Sequence, residues 1–216
     1  VVVSSVRIKR EGLHNTHSAL GLKLMLRREA LDHVGKASAR VLDLFAGPVG
    51  EMWAGCWSQA ADYLGVDVEY RPFDARRRLV APWSMAVQSL ELDGWNIIDL
   101  DAFGSPWGAA ARLSERWRPA EGARVAVVTT DGSWRAVRTG RVLTIDADLR
   151  RLGCVQAPRR YEGRGEMSRA GLTALAKRCG IKIDALRVRG SDAQGGSGGS
   201  SALVYSLMTG TVTRGS

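Results

Sequence analysis

The sequence predicts an α/β fold with a mostly parallel sheet, helices on both faces and one antiparallel strand. Two observations carry this. Strand-like and helix-like segments alternate through the first five strands, and alternation needs crossover helices lying on the faces of a parallel sheet. The last two strand segments then follow one another with only a Gly/Ser run between them, which makes a hairpin and turns one strand around. The length of 216 residues suits one domain, with or without an arm.

The elements follow in order. "VVVSSVRIKR" reads as a short strand and lacks the order of a signal peptide. "NTHSALGLKLMLRREALDHVG" spaces Ala19, Leu20, Leu22, Leu24, Leu26 and Leu31 among charges, with Asn15 or Thr16 to cap it and Gly35 to end it. That predicts a helix over 17–34. "ARVLDLFAG" (39–47) is an apolar strand stopped by glycine, and "EMWAGCWSQA" is helical with Glu51 at the favourable end of the dipole. "DYLGVDVEY" (62–70) is a second strand, "LVAPWS" a short third, "MAVQSLEL" a short helix and "WNIIDLDAF" a fourth strand. "PWGAAARLSERW" is helical, and "ARVAVVTTDG" (123–132) is a fifth strand with an unbroken apolar run. Residues 134–165 carry basic helical pieces and a Gly/Arg-rich loop. "MSRAGLTALAKRCG" (167–180) is an amphipathic helix, and "IKIDALRVRG" and "SALVYSLMTG" form the closing hairpin around "SDAQGGSGGS". Residues 1–36 read as an N-terminal strand and helix arm, and 37–216 as the main domain.

Composition narrows the partners. The 31 Lys/Arg against 22 Asp/Glu give +9, unevenly spread: residues 41–108 hold four basic against ten acidic residues, between two basic flanks. A basic balance suits nucleic acid, and a solvated Arg-rich surface is the plainer reading. Three separated cysteines, Cys56, Cys154 and Cys179, form neither a disulfide framework nor a zinc pattern and imply a reducing cytoplasm. No apolar run approaches a membrane span, so no membrane partner is expected. His14 and His17 lack a third ligand, and no metal is expected. Nothing in the sequence speaks to oligomeric state.

In open parallel sheets, ligands bind beyond the carboxyl ends of the strands. The first such end is "VLDLFAGPVG": Asp43 inside an apolar strand, Phe45 and Ala46, then Gly47 and Gly50 before a helix. Glycines allow a sharp turn and close backbone approach to a ligand. No Lys follows, so this is no P-loop, and an acid before the turn suits an amine-bearing ligand rather than a pyrophosphate. At the second end, Asp67 sits where an acid accepts ribose hydroxyls, with Val68 beside it and Glu69 as an alternative. At the third, Trp83 and Ser84 are placed to stack on or contact a base. At the fourth, "NIIDLDAFGSPW" carries Asp99, which could face a ligand or cap the next helix, and then Asp101 and Phe103. Both acids could also simply cap the strand–helix junction.

"VLDLFAGPVG" is similar to the glycine motif of class I S-adenosylmethionine-dependent methyltransferases, and Asp67 falls where that family holds the cofactor's ribose. Asp101-Ala102-Phe103-Gly104 resembles the Asp-Pro-Phe-Gly tetrad of the tRNA guanine-N2 dimethyltransferases, with alanine in place of proline. The resemblance covers residues 37–208 and departs from the family at Pro48-Val49 and at "APWS", where an acid beside the adenine amine is common. It implies a Rossmann-like seven-stranded methyltransferase sheet with the seventh strand antiparallel. It also implies S-adenosyl-L-methionine as cofactor, held by Asp43, Phe45, Ala46, Gly47, Gly50, Asp67, Val68, Trp83, Ser84 and Asp99. Asp101 and Phe103 would serve an exocyclic amine of a base, RNA ranking ahead of DNA as partner. The rivals are a DNA amino-methyltransferase, a small-molecule methyltransferase, and a non-catalytic cofactor- or nucleic-acid-binding module of the same fold.

Weaker signals complete the reading. Trp53, Trp57 and Trp117 should pack on the sheet, whereas Trp83, Trp107 and Trp134 could bound a pocket. "ARRRL" (75–79) offers a phosphate contact, and Tyr161 among arginines suits single-stranded nucleic acid.

Overall fold

A computed structural model describes residues 17–47, 50–69, 76–102, 104–133, 143–156, 164–190 and 203–213. The strands are β1 (Arg40–Asp43), β2 (Asp62–Asp67), β3 (Arg78–Val80), β4 (Ile97–Asp101), β5 (Arg124–Asp131), β6 (Ile181–Gly190) and β7 (Val204–Val212). The helices are α1 (His17–Val34), α2 (Glu51–Gly55), α3 (Trp83–Ser89), α4 (Trp107–Arg116), α5 (Leu143–Leu152) and α6 (Arg164–Cys179). All seven strands join one sheet in the order β3-β2-β1-β4-β5-β7-β6. Neighbours from β3 to β5 pair in parallel, and β7 runs antiparallel to both β5 and β6. The expected α/β sheet, parallel but for one strand, is therefore the sheet observed.

Strand order reverses between β1 and β4, which opens a crevice at their carboxyl ends. Register brings the chemistry-bearing residues into that crevice. Asp43 lies opposite Gly65 on β2 and Asp99 on β4, Asp67 lies opposite Val80, and Asp101 lies opposite Thr130. Thr130 in turn lies opposite Tyr205.

Each face of the sheet is covered. Leu42, Ile98, Leu100, Val125 and Val127 point into one layer with Trp107, Leu113, Leu149, Leu172 and Leu175 of α4, α5 and α6. Val41, Ile97, Ala126, Val128 and Leu207 point into the other, with Leu26, Ala30, Leu31 and Val34 of α1 and Trp57. Strand alternation sends even and odd neighbours to opposite faces, which is why both layers are apolar along the same strands. The segment read as an arm thus contributes α1 as a layer against the sheet. An ion pair between Arg187 of β6 and Glu29, and a contact from His33 Nε2 to the Gly210 carbonyl at 3.2 Å, fix its outer edge.

Local chemistry explains where the elements depart from expectation. The first strand stops at Asp43, and the chain beyond it stays tied to the same neighbours as it turns: Leu44 N–H donates to Asp99 O of β4 at 3.1 Å and Ala46 N–H to Val66 O of β2 at 3.1 Å. The third strand holds only three residues, since Pro82 ends it and caps α3 instead. The helix after the glycine turn breaks at Cys56 (φ −152°) and continues as a 3-10 turn that places Trp57 in the core. Among the described residues, no helix is long and apolar enough to cross a membrane. Cys56, Cys154 and Cys179 are free and buried.

Candidate active site at the carboxyl ends of the strands

The turn after β1 is held by two side chains, those of Asp43 and Arg76. Phe45 N–H donates to Asp43 Oδ1 at 3.2 Å, so the strand's acid shapes the turn. Arg76 reaches in from the segment before β3, donating to Ala46 O at 3.0 Å and Gly47 O at 3.2 Å. Gly47 and Gly50 take φ of 62° and 72°, the left-handed region that glycine adopts without penalty. A Cβ on Gly50 would also meet the Arg76 guanidinium at 3.1 Å. Gly47 and Gly50 themselves thus present backbone without a side chain. Pro48 and Val49 lie outside the described residues.

Next to this turn, Asp67 is half-buried at the end of β2, and its Oδ1 accepts Glu69 N–H at 3.0 Å. Among the described residues Oδ2 has no protein donor. Val68 is 62% exposed beside it. Across the mouth, the rings of Phe45 and Trp83 pack 6.4 Å apart and tilted by 47°, with Ser84 half-buried at the start of α3.

The other face of the crevice holds three carboxylates and two cations. Arg27 of α1 grips Asp99 with Nε to Oδ2 at 2.7 Å and Nη2 to Oδ1 at 2.8 Å, and Trp57 Nε1–H adds a bond to Oδ2 at 2.8 Å. Asp43 Oδ2 accepts the Tyr63 hydroxyl at 3.0 Å. Lys23 Nζ sits 2.9 Å from both oxygens of Asp101, and Arg27 Nη2 lies 3.2 Å from its Oδ2. The carboxylates titrate differently. Burial, with Asp99 alongside, pushes Asp43 well above the ordinary range, and burial raises Asp99 against the pull of Arg27. Burial works against the charge of Asp101 too, but Arg27 and Lys23 outweigh it and hold that carboxyl below the usual range. Burial and the Asp43 charge together push the Tyr63 hydroxyl up, so it stays a donor.

Two expectations need correcting here. Asp99 neither faces a ligand with its side chain nor caps the following helix, since it is fully buried and both oxygens are taken. Asp43 is 2% exposed, so its carboxyl is offered to the turn and to Tyr63 rather than to an amine in the crevice. Asp101 is the acid that keeps surface, with 14% of its side chain exposed. Phe103 lies outside the described residues. Gly104, just after it, is tied by its carbonyl to Gly132 N–H at 2.7 Å, and a Cβ there would meet nothing within 4 Å.

No family model and no curated protein matches the sequence. Among solved structures, the chain is similar to Trm1 from Pyrococcus horikoshii in complex with S-adenosyl-L-methionine. There the TM-score is 0.56 at 15% identity, covering 93% of this chain and 56% of that one. It is similar to TYW2 from M. jannaschii in complex with AdoMet, with TM-score 0.50, 10% identity, and coverage of 92% and 77%. It is also similar to 1,6-didemethyltoxoflavin-N1-methyltransferase from Burkholderia thailandensis, with bound 1,6-didemethyltoxoflavin and S-adenosylhomocysteine. That match has TM-score 0.51, 14% identity, and coverage of 91% and 80%. The fold is that of the class I S-adenosylmethionine-dependent methyltransferases. The chain spans 56% of the length of the Trm1 chain.

Within this methyltransferase fold, several residues at the site escaped the sequence reading. Among the described residues of α1, Lys23, Leu26, Arg27, Ala30, Leu31 and Val34 are buried, a single helical stripe with cations at two positions four apart near its start. Two basic residues four apart at the head of an apolar stripe require buried acids, and β4 supplies them. That spacing was the available signal. Arg76 belongs to the cluster read as a phosphate contact, yet it is 7% exposed and turned onto the glycine turn, while Arg77 pairs with Asp62 at 3.1 Å. Trp107 does not line a pocket: it is fully buried, and its Nε1–H donates to Asp131 Oδ2 at 3.1 Å. Ser168 Oγ shares that oxygen at 3.1 Å, and Ser133 N–H and its hydroxyl bond to Oδ1, so Asp131 latches the end of β5 to α4 and α6. Trp57 and Trp117 are buried as expected, and Trp53 is half-buried. Trp134, Tyr161, His14 and the Gly/Ser run at 191–202 lie outside the described residues, and so does the side chain of His17.

Proposed function

We propose that the protein transfers a methyl group from S-adenosyl-L-methionine to an exocyclic amine of a nucleobase, with RNA as the substrate polymer. The observation that carries this reading is the contrast among three acids on one sheet face. Asp43 and Asp99 are sealed, whereas Asp101, at the crevice rim, keeps exposed surface and is held ionised.

The residues present fit the cofactor. The Gly47/Gly50 turn gives a bare backbone for the methionine part, and Asp67 Oδ2 offers an acceptor for ribose hydroxyls. Val68, exposed, and Trp83 and Ser84, half-buried, are assigned to the adenine. Two of the similar structures contain the same cofactor and the third its demethylated product, which supports the assignment. When bound, the cofactor supplies a methyl carbon made electrophilic by its sulfonium.

An exocyclic base amine is a poor nucleophile because its lone pair is delocalised into the ring. Asp101 would accept a hydrogen bond from that amine and turn the amine's lone pair toward the crevice; as the N–C bond forms, the methyl's bond to sulfur would break, S-adenosylhomocysteine would leave, and Asp101 would stabilise the positive charge on the nitrogen until its excess proton passes to solvent. Holding the amine in line supplies further rate through positioning. Phe103 stacks on the base, a contact worth roughly 1–3 kcal/mol. The net charge of +9 supports a polyanionic substrate, and a base within a duplex must first leave its stack. The reaction takes place in the cytoplasm, where the three thiols remain reduced.

The test is incubation with tritiated S-adenosylmethionine and separate RNA, DNA and protein pools, followed by digestion of the labelled pool to nucleosides. Label in an N-methylated ribonucleoside supports the reading. Label only in DNA moves the substrate to the rival polymer. Tight cofactor binding with no label in any pool makes the chain a binding module.

A further inference from the structure

The reading above gives Asp101 a task but leaves two cations on it. Lys23 Nζ is 2.9 Å from Oδ1 and 2.9 Å from Oδ2, so the ammonium sits midway between the oxygens and fixes the rotation of the carboxylate plane. Arg27 Nη2, 3.2 Å from Oδ2, marks that oxygen as the more crowded one. A carboxylate has about four lone-pair sites, and these contacts use three.

We propose that Lys23 is a positioning residue for the target-amine site: clamping both oxygens of Asp101 from α1, it fixes the rotation of the carboxylate at the crevice rim. This rests on the reading of Asp101 as the amine acceptor. An amine presents two hydrogens, and a carboxylate clamped in this way takes one of them, which leaves the other for a backbone carbonyl.

Lys23 is itself held for the purpose. Its side chain is 9% exposed, and its ammonium lies 5.9 Å from the centroid of the Tyr205 ring, within cation–π range. Asp101, Thr130 and Tyr205 form a rank in register across β4, β5 and β7, so the clamp stands above an ordered floor. The Tyr205 hydroxyl in that floor is buried and has no hydrogen-bond partner among the described residues. The groups facing Asp101 are Lys23 and Arg27 from α1, Asp99 from its own strand, Asp43 from β1, Thr130 from β5 and Tyr205 from β7. Of these, Arg27 and Lys23 favour its charge most and Thr130 adds to them, and Arg27 is already committed to Asp99. Without Lys23, burial and the neighbouring acids would push Asp101 upward, as they do Asp43 and Asp99.

The test compares full-length Lys23→Met, Lys23→Gln and Lys23→Arg with the parent. In carbon-13 carboxyl titrations, with Asp101 assigned by difference from Asp101→Asn, the midpoint should move to higher pH in the Met and Gln variants and stay near the parent value in Lys23→Arg. In methyl transfer from tritiated S-adenosylmethionine to unfractionated RNA, kcat of the Met and Gln variants should fall about 10- to 100-fold. The acid limb of the pH profile should move upward, and cofactor affinity should hold within about twofold, since Lys23 touches no residue assigned to the cofactor. Lys23→Arg should recover most of the rate. Unchanged midpoints, or an unchanged kcat and pH profile, overturn the inference. Should Lys23→Met fail to fold, Lys23→Gln carries the same comparison with a polar side chain. A parent-like rate in Asp101→Asn would instead sink the reading of Asp101, whatever the titrations show.

Discussion

Arg27 and Asp99 form a two-pronged ion pair with no solvent exposure on the acid and 1% on the base, linking a helix to a strand 72 residues away. The pair seals the floor of the crevice on the α1 face. It also commits α1 to the sheet, because a guanidinium buried there without its acid would be very costly. Arg27→Ala should therefore destabilise the protein by about 3–5 kcal/mol, the usual cost of leaving one buried charge alone. Urea unfolding measures this. The double variant Arg27→Met/Asp99→Leu should recover much of the loss, and a single variant as stable as the parent would contradict the pairing.

Gly50→Ala tests the turn. A side chain at φ 72° is strained by about 1–2 kcal/mol, and its Cβ would press on the Arg76 guanidinium at 3.1 Å, which must give by a few tenths of an ångström. Cofactor affinity measured by titration calorimetry should fall about tenfold or more, because the shifted backbone is the surface assigned to the methionine part.

Asp67→Ala separates the ribose role from folding. Asp67 is half-buried and makes one local bond, so thermal stability should change little. Loss of a charged acceptor for hydroxyls is worth about 1.5–3 kcal/mol, so the calorimetric Kd for S-adenosylmethionine should rise about 10- to 100-fold. An unchanged Kd would place the ribose elsewhere.

Asp131 gives a pH dependence with a definite sign. Burial raises its carboxyl despite the donors Ser133, Ser168 and Trp107, so the fold holds this proton more tightly than the unfolded chain does. Its contribution to stability is then full below the unfolded value of about 3.9 and declines as pH rises toward the folded value. The stability gap between the parent and Asp131→Ala should narrow with rising pH across that window. Unfolding curves at several pH values measure the gap, and one that widens would reverse the assignment.

The fold was legible in the sequence because its signals are local. The bounds of α1 at 17–34 and of β6 at 181–190 follow from periodicity and glycine stops, and the observed elements coincide with them. The glycine turn was legible for the same reason, since a few adjacent residues fix its shape. Asp43, Asp99 and Asp101 were visible as acids on strand ends, but which would reach a ligand was not. Alternation puts all three on one face, and nothing local ranks their exposure.

Residue order alone determined the alternating architecture, the reversal of the last strand and the chemistry available at each strand end. Tertiary structure decided which charges meet. Lys23 lies 78 residues from Asp101, and Arg76 lies 29 from Gly47. Whether a carboxylate is sealed, neutral or held ionised depends on what the fold places around it in a low-dielectric interior, and an interaction across that distance leaves no periodic trace along the chain.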